Sequence, residues 1–358
     1  MMKKSNCSGI HSSKVKSQKI ATNIASPPVT GDRAQSGCGL APCLEVSPHI
    51  ETIWKRYLIL LITILLIGNP SIAKEVATAN QTQLPISVFV SIGPHLDFCQ
   101  QIGNGRVSVQ LLLPPGKSPA TYAPAPQQIQ ALSRAQLFFK VGLPFETALL
   151  TKIKALPRHP QIIDTQTGIT LQPMQNKIDV EGQTHKGRHQ HLQTDLDPHS
   201  WLDPQLALKQ ATTIAAALSR IDPDGKDIYL DNLNSLKESL QALHKNLTAT
   251  LAPFAGSTIF VYHPAFGYFA RAYNLHQLAV ELEGKRPKAK ELAEFIKKAR
   301  KERAKVIFVQ PQFDQKSARK IADALNCAVI PLDPLAQNYC ANLNYIAETI
   351  RKNLKTKR

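Results

Sequence analysis

Twenty residues, 185–204, concentrate side chains that bind metals, because they include four of the eleven histidines: His185, His189, His191 and His199. Imidazole is a common ligand of Zn²⁺, and short His-rich tracts are typical of metal binding. The part up to residue 194 is polar and aperiodic, which predicts a mobile loop. Two Asp-Pro turns then bracket His199 in a corner that we expect to be rigid. The simpler interpretation of the loop is a solvated segment that happens to contain histidines.

Two further candidate ligands follow apolar runs that have the composition of β-strands. His263 comes directly after the run at 259–262, and Asp333 follows the run at 329–332. In open α/β sheets ligands bind beyond the carboxyl ends of the strands, so His199, His263 and Asp333 are predicted to meet in one cleft. Two imidazoles and one carboxylate suit Zn²⁺ better than Mn²⁺. The alternatives are a turn or capping role for Asp333 and a hydrogen-bonded loop histidine at His263.

The elements that must position these residues alternate between strands and helices, which predicts βα units and parallel sheets. Predicted strands are 86–91, 107–113, 137–141, 258–262, 277–280, 306–309 and 328–330. Predicted helices are 94–102, 126–134, 204–221, 265–273, 288–301, 315–325 and 338–354.

One helix is expected to be much longer than the others. After the turn at 222–225, apolar residues recur at steps of three and four: Tyr229, Leu233, Leu236, Leu240, Leu243, Leu247 and Leu251. This spacing places them on one helix face. At 1.5 Å per residue the helix is about 40 Å long, enough to connect two lobes. The expected fold class is α/β, with two Rossmann-like lobes of parallel strands joined by one long rigid helix and a metal cleft between them.

Six motifs resemble those of the zinc/manganese-type periplasmic solute-binding proteins of ABC importers. They are PGKSPATYAPAP (115–126), DPHSWLDP (197–204), HPAFGYFA (263–270), EGKRP (283–287), FVQPQF (308–313) and LDPLA (332–336). They span nearly all of the chain after residue 73. The resemblance implies two α/β lobes bridged by a rigid helix, a buried metal held at His199, His263 and Asp333, and an accessory role for a His-rich loop.

The chain departs from that family at one ligand position. The family's first-lobe loop usually reads Pro-His-x-Tyr-Glu-Pro, and its His is the first metal ligand. Here Ala120 and Ala123 replace the His and the Glu. The open coordination position is expected to be filled by water, by Tyr122 or by a loop histidine, since three protein ligands plus water is an established zinc arrangement.

The N-terminal part predicts export. A basic pair, Lys55 and Arg56, precedes the apolar run at 57–68, and a small-x-small ending follows, so we expect a signal peptide at 53–73 that is cleaved after Ala73. Residues 1–52 are expected to be a disordered extension or an over-extended start. The remaining predicted divisions are a first lobe at 74–225 with the His-rich loop at 185–194, a linker helix at 226–252 and a second lobe at 253–358.

The charge balance is basic, but its pattern argues against nucleic-acid binding. The formal net charge is +17, of which residues 1–73 carry eight basic and three acidic side chains, leaving about +12. These charges are scattered over helix faces and are not interleaved with aromatic residues. In an oxidising compartment Cys327 and Cys340 are candidates for a disulfide, with the pairing left open.

The predicted function is therefore that of an exported receptor that captures Zn²⁺, with Mn²⁺ as the alternative, and delivers it to an ABC permease and its ATPase. We expect a monomer in the periplasm. One alternative is a secreted metal chaperone or adhesin on the same scaffold. The other is a zinc hydrolase with Glu281 or Glu283 as general base, which is disfavoured because no hydrolase motif is present.

Overall fold

The computed structural model describes Tyr57 and residues 84–174, 196–281, 288–313 and 315–354. The architecture below is that of the unit Thr82–Arg358. The predictions for 1–52, for 53–73 apart from Tyr57, for the 185–194 loop and for Glu283 lie outside the described residues.

The first lobe is built on a sheet of four parallel strands in the order β2-β1-β3-β4: β1 (Ile86–Val90), β2 (Val107–Leu111), β3 (Leu137–Lys140) and β4 (Gln161–Asp164). Its helices are α1 (Gly93–Gly103), α2 (Pro126–Arg134), α3 (Pro144–Lys154) and α4 (Pro204–Ile221), with a short 3₁₀ turn at Ser200–Leu202. Parallel strands need crossover helices, and the alternation along the chain supplies them.

The second lobe repeats this arrangement. Its strands are also parallel, in the order β6-β5-β7-β8: β5 (Thr258–Val261), β6 (His276–Ala279), β7 (Val306–Val309) and β8 (Ala328–Pro331). The helices after the connecting helix α5 (Lys226–Leu251) are α6 (Gly267–Ala272), α7 (Ala289–Lys301), α8 (Gln315–Leu325) and α9 (Tyr339–Asn353). In both sheets the strand order reverses beside the first strand, which is where doubly wound folds bind ligands.

Helix α5 confirms the predicted long helix and its apolar face. It spans 26 residues, and six of the seven periodic positions are buried: Tyr229, Leu236, Leu240, Leu243, Leu247 and Leu251. Its neighbours are α1 and α4 of the first lobe and α9 of the second. Because one helix packs on both lobes, it ties their positions together.

An ion pair fixes the beginning of α5. The Arg106 guanidinium donates from two nitrogens to the two carboxylate oxygens of Asp222, each at 2.8 Å, and the Tyr229 hydroxyl donates to Asp222 at 2.5 Å. Asp222 is almost fully buried, and the guanidinium holds the pKa of its carboxyl below the usual range. The first turn of the connecting helix is therefore anchored to the start of β2.

The candidate disulfide is not formed, because Cys327 and Cys340 are both free thiols. Cys327 immediately precedes β8, whereas Cys340 lies in the first turn of α9 beyond the other end of that strand. A strand of four residues is roughly 13 Å long. A disulfide requires Cα atoms within about 7 Å, so sequence proximity was misleading here. None of the described helices combines the length and the hydropathy needed to cross a bilayer.

Candidate metal centre

A cavity of about 510 Å³ lies where the carboxyl ends of strands from both lobes meet. The first lobe supplies Pro119, Ala120, Gly142, Leu143, Asp164 and Gln166 to its wall, and second-lobe loops supply His263, Gln312, Phe313, Pro334 and Leu335. His199 also lines the cavity, together with Leu171, Met174 and Leu196. Two of the three predicted ligands thus line one cavity.

Asp197 fixes the orientation of His199. A single oxygen, Oδ1 of Asp197, accepts from the backbone N–H of His199 at 2.9 Å and lies 2.7 Å from its Nδ1. A carboxylate on Nδ1 selects the tautomer whose Nε2 lone pair is free to bind a cation. The corner packs closely on α6, since a Cβ on Gly267 would lie 2.7 Å from Oδ2 of Asp197. A larger residue at that position would displace the Asp197 carboxylate that orients His199.

Trp201 joins the His199 corner to the second lobe. Its indole Nε1 donates to the carbonyl oxygen of Pro334 at 2.8 Å, and the Tyr339 hydroxyl donates to the carbonyl of Trp201 at 2.7 Å. Trp201 is fully buried, with its ring centroid 5.1 Å from that of His199. These contacts fix the corner relative to the loop that carries Asp333.

His263 is held by its backbone, by an aromatic ring and by a carboxylate. Gln310 accepts from the His263 N–H at 3.1 Å and donates to its carbonyl at 2.7 Å. The Phe313 ring stacks on the imidazole with centroids 4.4 Å apart. Nδ1 of His263 lies 3.4 Å from Oε2 of Glu281, which is within ion-pair range but long for a hydrogen bond.

Burial keeps His263 in the form that can bind a metal. Burial lowers the pKa of its imidazole, Glu281 partly opposes that effect, and His199 lowers the pKa further. A neutral imidazole retains the lone pair that coordinates a cation. In the described part of the chain, Nδ1 of His263 and both carboxylate oxygens of Glu281 are buried without a hydrogen-bond partner. A cation at Nε2 would leave the proton on Nδ1 and strengthen its pairing with Glu281, so these groups fit a metal.

The separation of the two imidazoles also fits a shared cation. The His199 and His263 ring centroids are 5.4 Å apart, and the planes are inclined at 71°. Two imidazoles on one tetrahedral Zn²⁺, with nitrogens about 2.0 Å from the metal, have centroids roughly 5 Å apart. The two rings belong to different lobes, so a cation between them would bridge the lobes.

Asp333 makes turn contacts beside this pair. Its Oδ1 accepts from the Leu335 N–H at 2.9 Å and from Nε2 of Gln312 at 2.7 Å, and Asn342 donates to its carbonyl at 2.7 Å. Over the described ranges, no three His, Cys, Asp or Glu side chains lie close enough together to hold one metal ion. The structure thus joins His199 with His263, while a role for Asp333 as third ligand stays a prediction.

The candidates for the open coordination position were Tyr122 and the loop histidines. Tyr122 donates its hydroxyl to Gln128 at 2.7 Å, packs edge-on against Phe145, and is not among the residues that line the cavity. Ala120, in contrast, lines the cavity at the position where the resembling family has its first ligand. The loop histidines His185, His189 and His191 lie outside the described residues.

Sequence reasoning missed the residues that support the ligands. Asp197, Gln310 and Gln312 all lie within the motifs quoted above, yet their roles depend on contacts between distant segments. Glu281 was considered only as a general base, whereas it lies against Nδ1 of His263. One usable signal was Gln310, a glutamine that directly follows four buried apolar residues.

Comparisons with known proteins agree with this geometry. Residues 88–356 match the profile of the family described as zinc-uptake complex component A, periplasmic. A high-affinity zinc uptake system protein ZnuA of Yersinia pestis is 28% identical over 267 residues, which is 70% of this chain and 83% of that protein. The manganese ABC transporter substrate-binding lipoprotein ScaA of Streptococcus gordonii is 25% identical over 281 residues, 76% of this chain and 87% of that protein.

A solved structure is similar as well. The crystal structure of a ZnuA deletion mutant with zinc bound has a TM-score of 0.68 and 36% identity, and the match covers 76% of this chain and all of that one. The confirmed fold, two four-stranded parallel sheets and a long connecting helix, is that of these proteins. Since the profile covers most of the chain, this protein belongs to the family of periplasmic zinc-uptake component A.

Proposed function

We propose that the protein is an exported substrate-binding protein that captures Zn²⁺ between its two lobes and delivers it to an ABC permease powered by an ATPase. The observation that carries the proposal is the pair His199 and His263, which reach one cavity from different lobes at the separation that a shared cation requires. Relatives named as zinc uptake proteins support it.

Asp333 is the proposed third protein ligand. Its Oδ1 is occupied by Gln312 and the Leu335 N–H, an arrangement that orients the other oxygen. Zn²⁺ is preferred over Mn²⁺ because the donor set is two imidazoles and one carboxylate, while Mn²⁺ favours oxygen-rich sites. Mn²⁺ remains the alternative cargo, as one relative is a manganese protein.

We also propose that the protein binds and releases the metal ion without catalysing a reaction. Of the two general bases considered from the sequence, Glu281 is the one that the structure describes, and it lies on the Nδ1 side of His263, opposite the nitrogen that would hold a metal and its water. A base must reach the water whose proton it takes. Capture and release therefore explain this arrangement better than hydrolysis.

The proposal also covers export of the protein, collection of zinc at the cavity mouth and release of zinc to the permease. Residues 53–73 are proposed to direct export and to be cleaved after Ala73, and the 185–194 loop is proposed to collect zinc weakly at the cavity mouth. Because α5 packs on both lobes, release to the permease would use local loop movements more than a wide hinge. The functional form is proposed to be a monomer.

The test is a zinc titration of purified, metal-stripped protein against a chromophoric chelator. One tight site is expected, and His199→Ala or His263→Ala should weaken it at least about 100-fold, because each removes one of only three protein ligands. His276→Ala, at an exposed position on β6, is the matched control and should leave the affinity unchanged. Equal affinity in all three variants would overturn the proposal.

A further inference from the structure

In the first-lobe wall of the metal cavity, the methyl group of Ala120 stands where the resembling family has its first metal ligand. Pro119 and Ala120 line the same cavity as His199 and His263, so the loop after β2 reaches the site. The Ala120 side chain has no donor atom. Thr121 and Tyr122, which follow it, are not among the residues that line the cavity, and the Tyr122 hydroxyl donates to Gln128. A zinc ion held by His199, His263 and Asp333 therefore keeps a position that is open toward Ala120.

The cavity is far larger than a bare ion needs. A Zn²⁺ ion with its ligand atoms about 2 Å away fills a space on the order of tens of Å³. The cavity measures about 510 Å³, which lies within the range of roughly 300–1,000 Å³ that is typical of small-molecule sites. Most of its wall is apolar: Leu143, Leu171, Met174, Leu196 and Phe313. Such a wall suits the carbon skeleton of an organic molecule.

One polar group on the wall is an acceptor without a donor. Gln312 donates its Nε2 to Asp333, which fixes the amide orientation, and its Oε1 is buried without a hydrogen-bond partner in the described structure. Asp164 also lines the cavity, but its carboxylate is 41% exposed and already accepts from Lys140 and from the Gln166 N–H. A buried acceptor costs free energy unless a donor reaches it. A ligand that carries an N–H group would satisfy Gln312.

We infer that the cargo is a zinc complex in which Zn²⁺ carries one small N,O-chelating molecule of the α-amino-acid class. The chelator's amino nitrogen and carboxylate oxygen expand the zinc shell to five donors, and one of them takes the coordination position at Ala120. Its side chain lies against the apolar wall, and an N–H group faces Oε1 of Gln312. This inference rests on the proposed zinc-binding function and specifies the chemical form of the zinc.

Native mass spectrometry of the purified protein tests the inference. Metal-stripped protein is given Zn²⁺ alone, or Zn²⁺ with an equimolar mixture of the twenty proteinogenic L-amino acids. The expected result is a ternary species, protein plus one Zn²⁺ plus one amino acid, whereas the amino-acid mixture given without Zn²⁺ should produce no protein–amino acid adduct. In a parallel titration the amino acids should raise the apparent zinc affinity about tenfold, although free amino acids compete for zinc and would lower it at a site for the bare ion.

Two single-residue variants distinguish binding of a zinc–amino acid complex from binding of the bare zinc ion. Ala120→His supplies the missing donor, so it should bind zinc tightly without amino acids and form no ternary species. Ala123→His adds the same side chain at an exposed residue of that loop outside the cavity wall, and it should behave as the unmodified protein does.

Two outcomes would overturn the inference. In the first, the unmodified protein binds zinc without an amino-acid adduct, and amino acids lower the apparent zinc affinity of the unmodified protein and of both variants. That result would show that the cargo is the bare ion, while the proposed zinc function stands. Absence of zinc binding under both conditions would overturn the proposed function, and this inference with it.

Discussion

Gln310 holds the main chain of His263 with both ends of its amide, accepting from the N–H at 3.1 Å and donating to the carbonyl at 2.7 Å. Gln310 follows β7 and His263 follows β5, and these strands are adjacent in the sheet. The ligand is therefore positioned by a contact between neighbouring loops of the second lobe.

Replacing Gln310 by methionine should weaken zinc binding without removing a ligand. The change keeps the side-chain volume but breaks both hydrogen bonds, at a cost of about 1–3 kcal/mol for the groups left without partners. We expect zinc affinity to fall about tenfold, as measured by competition with a chelator. Gln136→Met, which breaks an amide contact to the Ser87 N–H in the first lobe, is the control. Equal affinities in the two variants would argue against a positioning role.

Glu281→Gln tests the carboxylate beside His263. The substitution keeps the shape of the side chain but removes the charge that supports the imidazole when a cation binds its other nitrogen. Partners of this kind typically account for 10- to 100-fold in metal affinity, so we expect a loss in that range by calorimetric titration. Glu348→Gln, in an exposed pair with Arg351, should change nothing. A variant with the native affinity would refute the assigned role of Glu281.

Trp201→Phe tests the link between the His199 corner and the second lobe. An aromatic ring is retained, but phenyl is smaller than indole, and the hydrogen bond to the Pro334 carbonyl is lost. We expect about 1 kcal/mol weaker zinc binding and faster amide hydrogen exchange in the segment after β8. If exchange there is unchanged while affinity falls, the effect of Trp201 does not pass through this hydrogen bond.

The Arg106–Asp222 pair should make stability depend on pH in a defined direction. The pKa of Asp222 is lowered by Arg106, so its ionised carboxylate stabilises the folded protein above the unfolded pKa of about 3.9, and that stabilisation is lost as the pH falls through the lower folded pKa. Asp222→Asn should reduce the free energy of unfolding by about 2 kcal/mol at pH 7, since one partner of a buried pair is removed. Denaturant unfolding at pH 7 and below the folded pKa measures the change. A deficit of the same size at both pH values would contradict the assignment.

The sequence predicted the fold well where the periodicity was strong. The helices beginning at Pro126, Pro204 and Gln315 were predicted at their observed bounds, and helix α5 ends one residue before its predicted end at 252. Clear apolar spacing, or a proline at the first turn, marks these helices. Strand β4 and helix α3 were missed. Strand β4 is a short edge strand with partly exposed side chains, so it has neither the apolar run of a buried strand nor a clear alternation.

The site was predictable only in part. Strand ends and the two Asp-Pro turns indicated His199 and His263, which the structure brings together. The acceptors on their Nδ1 atoms, Asp197 and Glu281, follow from packing between loops that are distant in sequence. Local patterns do not contain that information.

The central claim, a zinc ion shared by His199 and His263, is tested most directly by zinc X-ray absorption spectroscopy. The account predicts a first shell of nitrogen and oxygen donors with two imidazoles in the loaded protein, and one imidazole in His199→Ala and in His263→Ala. A spectrum in which neither substitution reduces the imidazole count would place the metal elsewhere and contradict the account.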